Sequence, residues 1–269
     1  MESLIREKED HLRAWFVKNS APIQQIIDGL DIGWGGSARW TTAKMSIKVE
    51  DVSSLRILDV ACGYGTFLAE LGWRFPSADL FGLNLDFKGP HNIIFDLLDQ
   101  ADVNAKLIQA DAVNLPILSQ SFDFITCFLG LQDIEITRSQ QGIIVALNEM
   151  LRVVQPNGYV VLLDKYPFSS LLKWMSSISY SNEVVVVDTV VVDCRWDREI
   201  GEIAVDLYSK GTLQQLMNQA TPPTDPQATL KEIQRRMRVD LEQQLTQQGY
   251  YNPWGRMTLV MVQRTLHKE

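Results

Sequence analysis

Between Leu55 and Asp164, five short apolar runs alternate with stretches of helical character, and this alternation restricts the fold more than any other feature. The runs are Arg56–Val60, Asp79–Leu83, Ala105–Gln109, Phe122–Phe128 and Gly158–Leu163. Helices are predicted between them at Thr66–Arg74, Phe87–Ala101 and Gln141–Val153, the last closed by the Gln155-Pro156-Asn157-Gly158 turn. Strands that alternate with helices pair in parallel through right-handed crossovers, so the pattern predicts an α/β fold with a Rossmann-like, doubly wound sheet.

The flanking sequence does not continue this pattern. Residues 1–50 read as an N-terminal helical lid, with Leu4, Ile5, Leu12, Trp15 and Phe16 on one face, followed by a glycine-rich loop at 33–40. The core is expected over 51–164 and a cap insertion over 165–225, which includes a valine run at 184–192 and a helix from about Arg198. Residues 226–269 then complete the core. A helix runs to Gln248, Gly249 stops it, and Tyr250–Gly255 with Met257–Arg264 forms a C-terminal antiparallel hairpin.

With 33 acidic against 25 basic residues the net charge is −8, which argues against a general affinity for nucleic acid. Cys62, Cys127 and Cys194 have no metal-ligand spacing, so no metal is expected. The first residues are charged and lack a secretory apolar region, and no run approaches the roughly 18 apolar residues of a membrane span. A cytoplasmic protein with no membrane association is the expectation; the oligomeric state is open.

The first strand runs directly into Ala61-Cys62-Gly63-Tyr64-Gly65 and then a helix start. Bare backbone at such a turn lets a ligand approach closely, and helix N-terminal N–H groups attract a carboxylate or phosphate. A dinucleotide fingerprint would need glycine at position 68, where Leu68 stands. Asn84 ends the second strand, where a ribose-binding side chain is expected, with Asp86 two residues further on. Asp111 follows the third strand, beside where an adenine amino group could lie.

Four segments together resemble the class I S-adenosylmethionine-dependent methyltransferases. They are Leu58-Asp59-Val60-Ala61-Cys62-Gly63-Tyr64-Gly65, Gly82-Leu83-Asn84-Leu85, Asp111–Pro116 with Ser121-Phe122-Asp123, and Asn148–Gly158. The resemblance covers roughly residues 55–165 and implies S-adenosylmethionine as cofactor. It implies that Asp59, Ala61, Gly63 and Gly65 cradle the methionine portion, that Asn84 and Leu85 meet the ribose and adenine, and that Asp111 and Ala112 meet the adenine edge. Phe128, at the end of the fourth strand, joins this set. The sequence departs from the family where Ala61 replaces a common glycine, where Asn84 replaces an acidic residue, and at Leu131-Gln132-Asp133, where many relatives carry two histidines.

Methyl transfer is an in-line displacement, and positioning alone supplies much of the rate. Asp133 is the candidate catalytic base. Trp34, Arg39, Trp40, Gln132 and Tyr166 are candidates for the acceptor site and its lid. A small-molecule methyltransferase is the expected function. The alternatives are an S-adenosylmethionine-binding assembly factor or partner-binding module without catalysis, and a methyltransferase acting on RNA or protein.

Overall fold

A computed structural model describes residues 55–265 apart from 76–77, 194, 218–220 and 254, together with Ala14. The lid candidates Trp34, Arg39 and Trp40, the rest of the 1–50 segment, Cys194, His11 and His267 lie outside the described residues.

In chain order the elements are β1 (Arg56–Val60), α1 (Thr66–Arg74), β2 (Asp79–Asn84), a 3-10 turn (Gly89–Asn92), α2 (Ile93–Gln100), β3 (Ala105–Gln109) and β4 (Phe122–Phe128). After these come α3 (Leu131–Val153), β5 (Val154–Asp164), α4 (Phe168–Ser176), β6 (Val184–Asp193), α5 (Arg198–Met217), α6 (Pro226–Gln248) and β7 (Arg256–Arg264). The seven strands form one sheet in the order β3-β2-β1-β4-β5-β7-β6. β1 to β5 pair in parallel and β7 is antiparallel to β5, so the C-terminal antiparallel strand is present, but the described part of Tyr250–Gly255 forms no hairpin arm, because Tyr251 bridges to Trp196 instead. The strand order reverses between β1 and β4, which is where ligands of open α/β sheets settle.

Helices cover the sheet through apolar residues at helical spacing. α2 buries Ile94, Leu97 and Leu98, and α3 buries Ile143, Ala146, Leu147, Met150 and Leu151. β5 is buried from Gly158 to Asp164, the signature of a central strand covered on both faces.

Three boundaries differ from the sequence expectation. Gly89 and Pro90 hold the first part of the expected 87–101 helix as a 3-10 turn. α3 begins at Leu131, ten residues before Gln141, and is interrupted at Ser139 (φ 64°, ψ 177°). The polar run Thr137–Gln141 hides this earlier turn, because only Leu131 and Ile134 of the front part are buried. β5 reaches back through the expected 155–158 turn. Asn157 sits there at φ 62°, and the register against β4 shifts between Phe122 and Phe124.

The described residues up to Val192 and from Arg256 form one compact unit. The segment expected as a single cap therefore divides. α4 and β6, the valine run, belong with the sheet, while α5 belongs to a second unit spanning Asp193–Gly255. Within that second unit α5 and α6 pack closely, and a Cβ at Gly201 would meet Leu241 at 2.5 Å. Asp225 caps α6 by accepting from Ala228 N at 3.0 Å, Pro226 opens it, and Gly249 (φ 80°) closes it. Trp196 and Tyr251 form an antiparallel bridge in the same unit.

Candidate active site

The turn after β1 is built from left-handed backbone, with Ala61 at φ 56°, Gly63 at 55° and Gly65 at 85°. Leu129, after β4, sits at 57°. A non-glycine residue in this region costs on the order of 1 kcal/mol, so Ala61 holds strain where a glycine would relieve it. A Cβ on Gly65 would strike Ile94 Cγ1 at 2.6 Å, whereas one on Gly63 would meet nothing within 4 Å. Gly63 therefore faces open space.

α1 starts at Thr66 with no side-chain cap and no acidic residue in its first turn. Its leading N–H groups are thus left to the backbone and to whatever ligand lies over the turn. Thr66 Oγ1 is buried with no hydrogen-bond partner among the described residues. An open glycine turn, an uncapped helix start and an orphaned hydroxyl fit a ligand that brings its own carboxylate to this edge.

Asp59 lies beneath the turn, paired in register with Thr126 of β4. Thr126 Oγ1 donates to Asp59 Oδ1 at 2.6 Å. Burial pushes the Asp59 carboxyl up to about 7, and the Thr126 hydrogen bond pulls in the opposite direction. Phe128 is buried and stacks on Phe67 of α1, Ala112 is buried in the core, and Leu85 is half exposed at the end of β2.

Asn84 is engaged on both sides. Its Oδ1 accepts from Gly63 N at 2.9 Å and its Nδ2 donates to Gly63 O at 2.8 Å. It locks the turn in place, and an aspartate there could accept from Gly63 N but could not donate to Gly63 O. Asp111 is also engaged, because Arg138 binds its Oδ2 through Nε at 2.8 Å and through a second guanidinium nitrogen at 2.7 Å.

Asp133 lies in the first turn of α3 and is exposed at its surface. Desolvation raises its carboxyl above the ordinary range, while His91 and Lys165 pull it down. Gln132, beside it, is half buried. Tyr166 is half buried, packs edge-on against Trp174 and donates its hydroxyl to Glu135. Asp164 at the end of β5 accepts from Leu131 N at 3.0 Å and Lys165 N at 2.7 Å, so it caps the start of α3.

Several residues of this edge carried no sequence signal of their role. Thr126 is one apolar-strand residue among seven, and Arg138 stands in a polar run. Glu149 and Arg152 lie in a segment that resembled the family, but their task is visible only here. Glu149 Oε2 accepts from Leu115 N at 2.8 Å, and Arg152 donates to Leu115 O at 3.0 Å and Ile117 O at 2.8 Å. Together they clamp the loop that follows Asp111.

A family model described as a methyltransferase domain matches residues 57–158, the span that holds the turn, Asn84, Asp111 and the Glu149–Arg152 clamp. This is a class I S-adenosylmethionine-dependent methyltransferase domain. S-adenosylmethionine is its cofactor. The chain is similar to the demethylmenaquinone methyltransferase of Lactococcus lactis, at 26% identity over 184 residues, which cover 66% of this chain and 69% of that protein. It is also similar to the ubiquinone/menaquinone biosynthesis C-methyltransferase UbiE of Campylobacter jejuni, at 29% identity over 138 residues, covering 51% of this chain and 54% of the relative. The chain thus spans about half the length of the Campylobacter protein. A Bacillus halodurans C-125 structure assigned to the methyltransferases shares the fold, with a TM-score of 0.53, 11% identity, and coverage of 86% of this chain and 99% of that one. No helix among the described residues is long and apolar enough to cross a membrane.

Proposed function

We propose that this chain transfers the methyl group of S-adenosylmethionine to a carbon atom of a small hydroxylated aromatic acceptor of the quinol type. The observation that carries the cofactor half is the open turn at Gly63, flanked by the uncapped start of α1 and by Thr66 Oγ1. The acceptor class is supported by the relatives in Lactococcus and Campylobacter, both named for quinone methylation.

When bound, the cofactor supplies a methyl group on a sulfonium sulfur, which an in-line nucleophile displaces. The chain's own contribution is placement. The α1 N-terminus would hold the cofactor carboxylate, Gly63 would allow its close approach, Leu85 would offer an apolar face to the adenine, and Asp111, now held by Arg138, would meet the adenine edge. Gln132, Asp133 and Tyr166 border the acceptor, and holding two reactants in line accounts for about 7–11 kcal/mol of the barrier in well-oriented systems.

The test is titration calorimetry with S-adenosylhomocysteine, followed by mass analysis of demethylmenaquinol incubated with labelled S-adenosylmethionine. Saturable binding that Gly63→Arg abolishes, with a product heavier by one labelled methyl group, is expected. A wild-type chain that gives no heat at millimolar S-adenosylhomocysteine refutes the cofactor assignment. Binding without label on demethylmenaquinol refutes the acceptor.

A further inference from the structure

Most polar side chains along the carboxyl edge of the sheet are already committed to a partner. Asp59 is held by Thr126, Asn84 by Gly63, Asp111 by Arg138, Asp164 by the backbone of α3 and its own neighbour, and Tyr166 by Glu135. His91 differs. It sits in the 3-10 turn after β2 with Nδ1 3.4 Å from Asp86 Oδ1, while Nε2 has no hydrogen-bond partner among the described residues. Its side chain is 41% exposed, so the ring is open to a ligand.

The surroundings of His91 belong to the candidate site. Its ring centroid lies 5.4 Å from that of Tyr64, which stands between the two glycines of the cofactor turn. Asp133, from the first turn of α3, is close enough to feel His91 and Lys165, and Tyr64 in turn feels Asp133. The turn after β1 thus packs beside the imidazole, and Asp133 at the start of α3 lies within its electrostatic reach. Asp86 is fixed from its own side by accepting from Lys88 N at 3.1 Å. The groups that bear on His91 are therefore Asp86 from its own loop, Tyr64 and Asp133.

We propose that His91, oriented by Asp86, is the proton acceptor for the methyl acceptor, an inference that rests on the methyltransferase reading above. A carboxylate on Nδ1 fixes the tautomer in which Nε2 carries the free electron pair. The balance is one proton. A carbon–carbon bond forms between the acceptor ring and the methyl group, and the methyl–sulfur bond breaks with its electron pair left on sulfur. The ring gives up one proton, and Nε2 takes it. The Asp86 carboxylate beside Nδ1 stabilises the charge of the resulting imidazolium. Asp133, expected from the sequence to be the base itself, is then left out of the proton transfer.

The experiment uses the full chain and the variants His91→Asn, His91→Gln and Asp86→Asn, each checked for a wild-type circular dichroism spectrum. Nitrogen-15 histidine NMR without any ligand should show neutral His91 protonated on Nδ1, and Asp86→Asn should shift the tautomer balance toward Nε2. S-adenosylhomocysteine affinity should stay within about threefold of wild type in His91→Asn, and single-turnover transfer to demethylmenaquinol should fall about 10²–10⁴-fold. A proton on Nε2 in the wild type, or a tautomer balance unmoved by Asp86→Asn, overturns the proposal. Full transfer rates in both His91 variants overturn it equally. Failure of wild-type S-adenosylhomocysteine binding instead removes the methyltransferase reading on which it stands.

Discussion

Asn84 grips Gly63 at both ends of one peptide unit, accepting from its N–H and donating to its C=O. The residue expected at the ribose thus also braces the glycine turn. Asn84→Ala leaves both backbone groups of Gly63 without a side-chain partner and should cost about 1–3 kcal/mol in urea denaturation. Asn84→Asp, which restores the residue type common in the family, should be destabilising too, because a carboxylate would face Gly63 O. Calorimetry should show weaker S-adenosylhomocysteine binding in both variants. An Asn84→Asp protein as stable as wild type would show that the donated hydrogen bond contributes nothing.

Asp59 makes stability depend on pH. Burial holds its carboxyl at about 7 against an ordinary 3.8, so the folded chain keeps a proton that the unfolded chain has already lost. The stability contributed by this group is complete below about pH 4 and is lost as pH rises through 7. Asp164, raised to about 6 by burial, acts with the same sign. Asp59→Asn keeps an acceptor for Thr126 Oγ1 and removes the titration. It should raise stability at pH 8 by on the order of 2–4 kcal/mol and flatten the decline between pH 5 and 8. Urea midpoints of wild type and variant across that range decide it, and parallel pH profiles would contradict the assignment.

The clamp between α3 and the loop after β3 rests on two side chains. Arg152→Ala removes donors from Leu115 O and Ile117 O and leaves Glu149 without its guanidinium, so a loss of about 2–3 kcal/mol is expected. Limited proteolysis should then cut within residues 112–121 faster than in wild type. Unchanged cleavage there would mean that the loop is held by its apolar residues, Leu115 above all.

Ser139 occupies backbone that is almost reserved for glycine. Ser139→Gly should therefore raise stability by about 1–2 kcal/mol, read as an increase in the thermal midpoint. Lower stability would show that the Ser139 side chain makes a compensating contact.

The core strands and the glycine turn were legible because both rest on local rules. Apolar runs of strand length mark β1, β3 and β4 at their observed limits, and Gly-x-Gly marks a left-handed turn. Partners that meet across the sheet were not legible. Thr126 lies 67 residues from Asp59 and Arg138 lies 27 from Asp111, and no periodicity reports such a meeting. His91 carried no site signal in the sequence, since only the fold brings Tyr64 beside it. The valine run at 184–192 carried a strand signal but no address, so its place as the edge strand beside β7 emerged only from the sheet order.

Arg138, which holds Asp111, is the last residue before the break in α3. A helix interrupted at one residue does not transmit torque along its axis. On the proposed reading, a movement of Arg138 away from Asp111 would be taken up by rotation at Ser139, leaving Gln141–Val153 and its clamp on the 112–121 loop in place.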